Sequence, residues 1–282
     1  MLPLQDKVVM VTGASDGIGK VTARALAEMG AHVVMVCRPS AKAEAARQEI
    51  AEATSPGAVE LLTADLSSQA EIRAVAAEFR ERHERLHVLC NNAGLYVPER
   101  RLTADGLELT FALDHLGYFL LTHELREVLA ASAPARIVNV SSEAHRGARI
   151  DFDDLQGERK FSAFRAYGQA KLGNVLFTYE LARRLEGTGV TVNCLHPGVV
   201  RTGFGRDSHG AMKVALKLIS PFMASPDKGA ETSIYLASSP EVQGATGQYF
   251  AKCKPKKSSP LSYDRAVAQR LWEVSEKLTG VG

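Results

Sequence analysis

An excess of charge of either sign is missing from this chain. Its 34 Lys and Arg stand against 32 Asp and Glu, a net charge of +2. Nothing there points to nucleic acid as the main partner. Cysteine is scarce too: Cys37, Cys90, Cys194 and Cys253 lie far apart, with no Cys-x-x-Cys pair. That spacing offers neither a disulfide framework nor a metal-ligand set, so reduced thiols, no metal and a reducing compartment such as the cytoplasm are expected. No window approaches the run of about 18 apolar residues that a membrane span needs. The N-terminus has no positive segment followed by a long apolar core, so no signal peptide is expected. A soluble protein without a transmembrane segment is the expectation.

What is present is a rhythm. The 282 residues are 45% hydrophobic and 23% charged, ordinary for a globular protein. Short β-branched runs at 7–12, 32–37, 59–63, 86–90, 136–141, 190–195 and 244–250 read as strands. Most are continuously apolar, as in a parallel sheet covered on both faces. Helical patterns fall between them, over about 17–29, 41–53, 67–83, 104–131, 163–186, 227–238 and 263–278. Gly30 ends the first, and Ser67 with Glu71 marks the start of the third. Such alternation predicts an α/β fold: one Rossmann-type, doubly wound parallel sheet of about seven strands with helices on both faces. One domain, 1–282, is expected. Residues 143–162 and 203–226 break the rhythm after strand ends, where ligands bind on such sheets. The apolar run 212–223 reads as either a packed surface helix or a substrate lid.

The first strand turns into the first helix through Thr12-Gly13-Ala14-Ser15-Asp16-Gly17-Ile18-Gly19. Glycines let a backbone turn tightly against a pyrophosphate, and a helix N-terminus supplies N–H donors and a positive dipole. The spacing is G-x-x-x-G-x-G rather than G-x-G-x-x-G. An NAD site would place an acidic residue at the end of the second strand, to grip the adenosine ribose. Between Met29 and Ala43 there is none; Arg38 stands there, with Lys20 just past the glycines. A guanidinium pairs with a 2′-phosphate, so NADP(H) is expected rather than NAD.

Tyr167 and Lys171 share a helix face at i and i+4. They follow Val138-Asn139-Val140-Ser141-Ser142, a strand ending in two hydroxyl residues. Taken with the glycine loop, Asp65-Leu66, Asn91-Asn92-Ala93-Gly94 and His196-Pro197-Gly198, these motifs resemble the short-chain dehydrogenase/reductase family. The likeness runs from about Lys7 to Gly280. The long gap from Ser142 to Tyr167 resembles the retinol dehydrogenase-like branch.

That resemblance implies an oxidoreductase moving hydride between nicotinamide and a carbonyl or alcohol. Tyr167 would be the acid/base, and Lys171 would lower its phenol from the usual value of about 10. Ser142, rather than Ser141, would hold the substrate oxygen. Gly13, Ser15, Asp16, Gly17, Ile18 and Gly19 would cradle the pyrophosphate. Asn92, Ala93 and Gly94 would pass under the cofactor, while Asp65 and Leu66 would meet the adenine. Pro197, Gly198, Val200 and Thr202 would wrap the nicotinamide end. Asp114 departs from the family, which usually has asparagine there, and a carboxylate near Lys171 would alter the site's titration.

The branch further implies an apolar aldehyde, ketone or alcohol, and the apolar 212–223 run agrees. Its members often carry an N-terminal membrane anchor, which is not read here. Helices 104–131 and 163–186 are candidates for pairing copies of the chain into a homo-oligomer. His115 and His145 could line the site, though satisfied histidines are more frequent; His196 reads as a neighbour of the cofactor. Lys252 to Lys257 reads as a solvated loop. The alternative to an enzyme is a catalytically silent NADP(H)-binding regulator on the same fold, but such a protein would be free to lose Tyr167, Lys171 or Ser142. A sugar-nucleotide epimerase would need more chain after Gly198.

Overall fold

The computed structural model describes residues 2–200 and 223–282. Thr202 and most of the 203–226 stretch, including all of 212–223 but Met223, lie outside the described residues. The strands are β1 Val8–Thr12, β2 His32–Cys37, β3 Val59–Thr63, β4 Val88–Asn91, β5 Ala135–Val140, β6 Val190–His196, β7 Gln248–Ala251 and β8 Lys254–Lys256. Among the described residues the helices are α1 Gly17–Glu28, α2 Ala41–Glu52, α3 Gln69–Arg82, α4 Leu109–Phe111, α5 Gly117–Glu124, α6 Arg126–Ala131, α7 Ala163–Arg184, α8 Pro226–Ser238 and α9 Arg265–Thr279.

The sheet order is β3-β2-β1-β4-β5-β6-β7-β8, parallel except for the last pair. The chain switches direction between β1 and β4, which opens a crevice beyond their C-terminal ends. Alternation along the strands explains why they read as unbroken apolar runs. On one face Met10, Val34, Val36, Leu89 and Ile137 pack against Phe79 of α3, Phe119 and Leu121 of α5 and Phe177 of α7. On the other, Val9, Val11, Val33, Met35, Cys90 and Val138 pack against Leu26 of α1, Ile50 of α2 and Leu236 of α8. Each large side chain so buried contributes about 1.5–3 kcal/mol.

Local signals place the helix ends. Asp16 caps α1 through the Gly17 N–H, and Ser40 caps α2 through Ala43. Ser68, one residue past the expected Ser67, caps α3 through Glu71. Gly30, at φ +93°, lets the chain leave α1.

Two expectations are corrected. The sheet has eight strands, because the lysine cluster expected as a loop forms β8 antiparallel to β7. Its Lys254, Pro255 and Lys256 are all exposed, and lysine with proline is how an open sheet edge is blunted. The long helix expected over 104–131 instead begins at Leu109 and widens into a π-helical turn at Ala112–Leu116. No helix among the described residues is long and apolar enough to cross a membrane.

Candidate active site

The C-terminal ends of β1 and β4 are stitched together around the glycine loop. Thr12 Oγ1 accepts the Asn92 N–H at 2.9 Å and the Ala93 N–H at 3.0 Å, while the Asn92 amide donates to the Thr12 carbonyl at 2.8 Å. Gly13 adopts φ +66°, and a Cβ there would meet Ala93 Cα at 2.8 Å. A Cβ on Gly19 would lie 2.4 Å from both the Gly13 carbonyl oxygen and Asn92 Nδ2. Backbone therefore approaches backbone more closely than any side chain allows, with the N-terminus of α1 aimed at the crevice. A dinucleotide pyrophosphate fits this donor set. Ile18 takes part from below: it lies beside Val200 against Gly229, tying α1 to the segment after β6.

Arg38 is exposed directly after the last residue of β2. Lys20, by contrast, is engaged in an ion pair with Glu49. Asp65 Oδ1 accepts both the N–H and the hydroxyl of Ser67, at 2.9 and 2.7 Å. Leu66 is buried, its side chain in the core and its carbonyl close against Gly117. Gly94 is exposed at the crevice, and Pro197 and Gly198 follow β6 on its rim.

At the end of β5 the two serines part. Ser141 is buried and donates to the Lys171 carbonyl at 2.8 Å, whereas Ser142 stays half-exposed and hydrogen-bonds the Tyr167 phenol. Lys171, one turn after Tyr167 on α7, lies with its Nζ 3.0 Å from Asp114 Oδ2 and 3.4 Å from the Val140 carbonyl. The ammonium sits 5.5 Å from the centre of the Tyr167 ring and 5.6 Å from that of Tyr118. Asp114 is wholly buried, and its other oxygen accepts the Leu95 N–H at 2.8 Å. The π-helical turn is what aims it: the residue count of an ordinary helix is exceeded there, and such turns recur at functional sites.

These contacts set the titration. Burial pushes the Asp114 carboxyl up, more than Lys171 and the Leu95 N–H pull it down. Burial pushes Lys171 down, but Asp114, with Tyr118 and Tyr167, holds the ammonium above its ordinary range. Tyr167 was expected to fall below about 10. Instead burial raises it and Asp114 adds to the rise, together outweighing Lys171 and Ser142.

The histidines settle into structure. His145 is buried, with Nδ1 donating to the Ser142 carbonyl at 2.6 Å and Nε2 accepting the Ser259 N–H at 3.1 Å. A carbonyl can only accept and an N–H only donate, so one neutral tautomer satisfies both. His115 is buried against Gly173 and Ser275, with burial lowering it to about 4. Nδ1 of His196 accepts the Glu143 N–H at 3.2 Å. Residues 143–162 form a 3₁₀ turn at Glu143–Gly147 and then a segment pinned to α7. Gln169 accepts from Asp151 N–H and donates to the Leu155 carbonyl, at 2.8 and 3.1 Å.

Two site tyrosines escaped the sequence. Tyr118 lies under Lys171, and the Tyr96 ring meets Tyr167 edge-on at 6.0 Å. Tyr96 stands two residues after Gly94, and that adjacency was the available signal. Far from this crevice, His32, Glu60 and His83 converge, though no sequence spacing joins them.

Residues 7–212 match the family model described as short chain dehydrogenase. Retinol dehydrogenase 14 of Homo sapiens is 45% identical, the match covering 99% of this chain and 88% of that protein. A crystal structure of an uncharacterised Mycobacterium paratuberculosis protein superposes with a TM-score of 0.80, at 33% identity, over 99% of this chain and 96% of that one. The RhlG/NADP active-site complex from Pseudomonas aeruginosa superposes at 0.72 with 26% identity, over 93% and 100% of the two chains. The chain belongs to the short-chain dehydrogenase/reductase family of oxidoreductases, in its retinol dehydrogenase-like branch.

Proposed function

We propose that this protein is an NADP(H)-dependent reductase or dehydrogenase acting on the carbonyl or alcohol of an apolar small molecule. The observation that carries the reading is the convergence of Ser142, Tyr167 and Lys171 at the end of β5, across from the glycine cradle. A bound nicotinamide supplies or accepts the hydride. In reduction the Tyr167 phenol gives its proton to the carbonyl oxygen as negative charge develops there, and the Ser142 hydroxyl donates a second hydrogen bond. In oxidation Tyr167 takes the alcohol proton back. Lys171, kept charged, stabilises the phenolate that reduction leaves behind. Asp114 holds Lys171 in place and tempers its effect on the phenol.

Arg38 supports NADP(H) over NAD(H): it offers a guanidinium at the adenosine end, in a stretch free of acidic residues. Phe164 and Val199 support an apolar substrate, since both are more than half exposed near Tyr167 and Gly198 in sequence. Four unpaired cysteines agree with a reducing, cytoplasmic setting. One continuous sheet agrees with a single domain.

The test is Tyr167→Phe against a panel of apolar aldehydes, ketones and alcohols with NADPH or NADP⁺. Turnover is expected to fall by about 10²–10⁴-fold, the usual contribution of a positioned acid/base. NADPH binding, followed by its fluorescence, should survive. Ordinary turnover in the variant would remove Tyr167 from the mechanism.

A further inference from the structure

We propose that His32, Glu60 and His83 form a binding site for a divalent transition metal, Zn²⁺ in the first place, at the opposite end of the sheet from the crevice. His32 opens β2, Glu60 is the second residue of β3, and His83 ends α3 in extended backbone. These lie at the N-terminal ends of the parallel strands, whereas the glycine cradle and Tyr167 lie at the C-terminal ends. Three elements distant in sequence thus bring two imidazoles and a carboxylate to one point.

The geometry is that of ligands around an ion. His83 Nε2 lies 2.9 Å and His32 Nε2 3.4 Å from the same oxygen, Glu60 Oε2. All three ligand atoms fall within 4.8 Å of one another. Zn–N and Zn–O bonds of about 2.0–2.2 Å put tetrahedral neighbours about 3.3–3.6 Å apart; His32 stands at that distance from Glu60 Oε2, and His83 has to draw back by about half an ångström. The imidazole rings stand 5.2 Å apart at 47°, with their ligand nitrogens within 4.8 Å of each other. Among the described residues this is the one group of three such side chains to converge.

The surroundings orient the set. Arg82 donates to the other carboxylate oxygen, Glu60 Oε1, at 2.7 Å, which turns Oε2 toward the histidines. Such outer partners fix a ligand's direction. The Arg82 charge is shared with Glu78, so it does not stand alone beside an incoming cation. Phe79 packs on the His83 ring at 4.8 Å between centres and limits its motion. His32 is about a third exposed, at 35%, so solvent completes the coordination from that side. Imidazole with carboxylate suits Zn²⁺ over Ca²⁺ or Mg²⁺, which prefer oxygen alone. The ion would staple the end of α3 to the β2–β3 edge, remote from the reacting centre.

Metal-stripped full-length protein titrated with ZnCl₂ by calorimetry should take up one ion per chain, with a rise in Tm. Cobalt should give the visible bands of a low-coordinate nitrogen and oxygen site. His83→Gln and Glu60→Gln should each weaken Zn²⁺ binding at least about tenfold and abolish the Tm rise. Should either variant fail to fold, His32→Gln, at the more exposed position, gives the same readout. Absence of uptake at millimolar Zn²⁺ would overturn the proposal. So would wild-type affinity in the variants, which would place the ion elsewhere.

Discussion

The pair at the centre of the site makes a prediction about stability. Lys171→Met keeps the aliphatic stem and removes the ammonium 3.0 Å from Asp114 Oδ2. The carboxyl is then left wholly buried, with the Leu95 N–H and no cation. Breaking a buried pair by deleting one partner costs about 3–5 kcal/mol. At about 2 °C per kcal/mol for a chain of this length, Tm falls by about 6–10 °C. The size of the fall depends on pH. Burial already raises the folded Asp114 above its unfolded value, and loss of Lys171 removes the main pull downward. A carboxyl raised in the folded state costs stability above its unfolded pKa, progressively, as pH climbs toward the folded one. The variant should therefore lose most at pH 8 and recover as pH drops toward 5. Asp114→Asn in the same chain removes the stranded charge and should restore most of the loss. Thermal melts of wild type, both single variants and the double variant across that pH range complete the cycle. A pH-independent loss, or a double variant no better than Lys171→Met, would refute the buried ion pair as described.

Arg38→Asp should shift the ratio of kcat/KM values from NADP toward NAD by about 10–100-fold, the worth of a charge-assisted hydrogen bond; an unchanged ratio removes Arg38 from recognition. Gly19→Ala places a methyl 2.4 Å from the Gly13 carbonyl oxygen and Asn92 Nδ2, so the NADPH Kd should rise by about tenfold or more, read by fluorescence titration. Because burial and Asp114 hold the Tyr167 phenol high, the reduction rate should stay level through neutral pH and fall only in the alkaline range. Asp114→Asn takes away one of those upward pushes, and the alkaline limb of its pH–rate profile should move to lower pH.

Much of this protein was written in short stretches of sequence. Strand–helix alternation, the crowding of Gly13, Gly17 and Gly19 between a strand and a helix, and the one-turn spacing of Tyr167 and Lys171 are local features. Backbone dihedrals and helix periodicity translate them directly into geometry. Alternation carried just past the end of β5 likewise separates Ser141 from Ser142, and the structure turns Ser141 inward onto the Lys171 carbonyl. The edge strand β8 was hidden because lysines and a proline look like loop; only pairing with β7 makes them a strand.

What the fold alone decided is which distant side chains meet, and so how the site is charged. Asp114 and Lys171 are 57 positions apart, and no periodicity links them; a π-helical turn delivers one to the other. Burial of Tyr167 itself, with Asp114 adding to it, then reverses the expected fall of its phenol, because desolvation depends on everything packed around a group rather than on its neighbours in sequence. The same holds for His32, Glu60 and His83, which converge only when parallel strands and a returning helix fix their ends together. The sequence by itself determined the reaction class; tertiary packing decided the protonation chemistry within it.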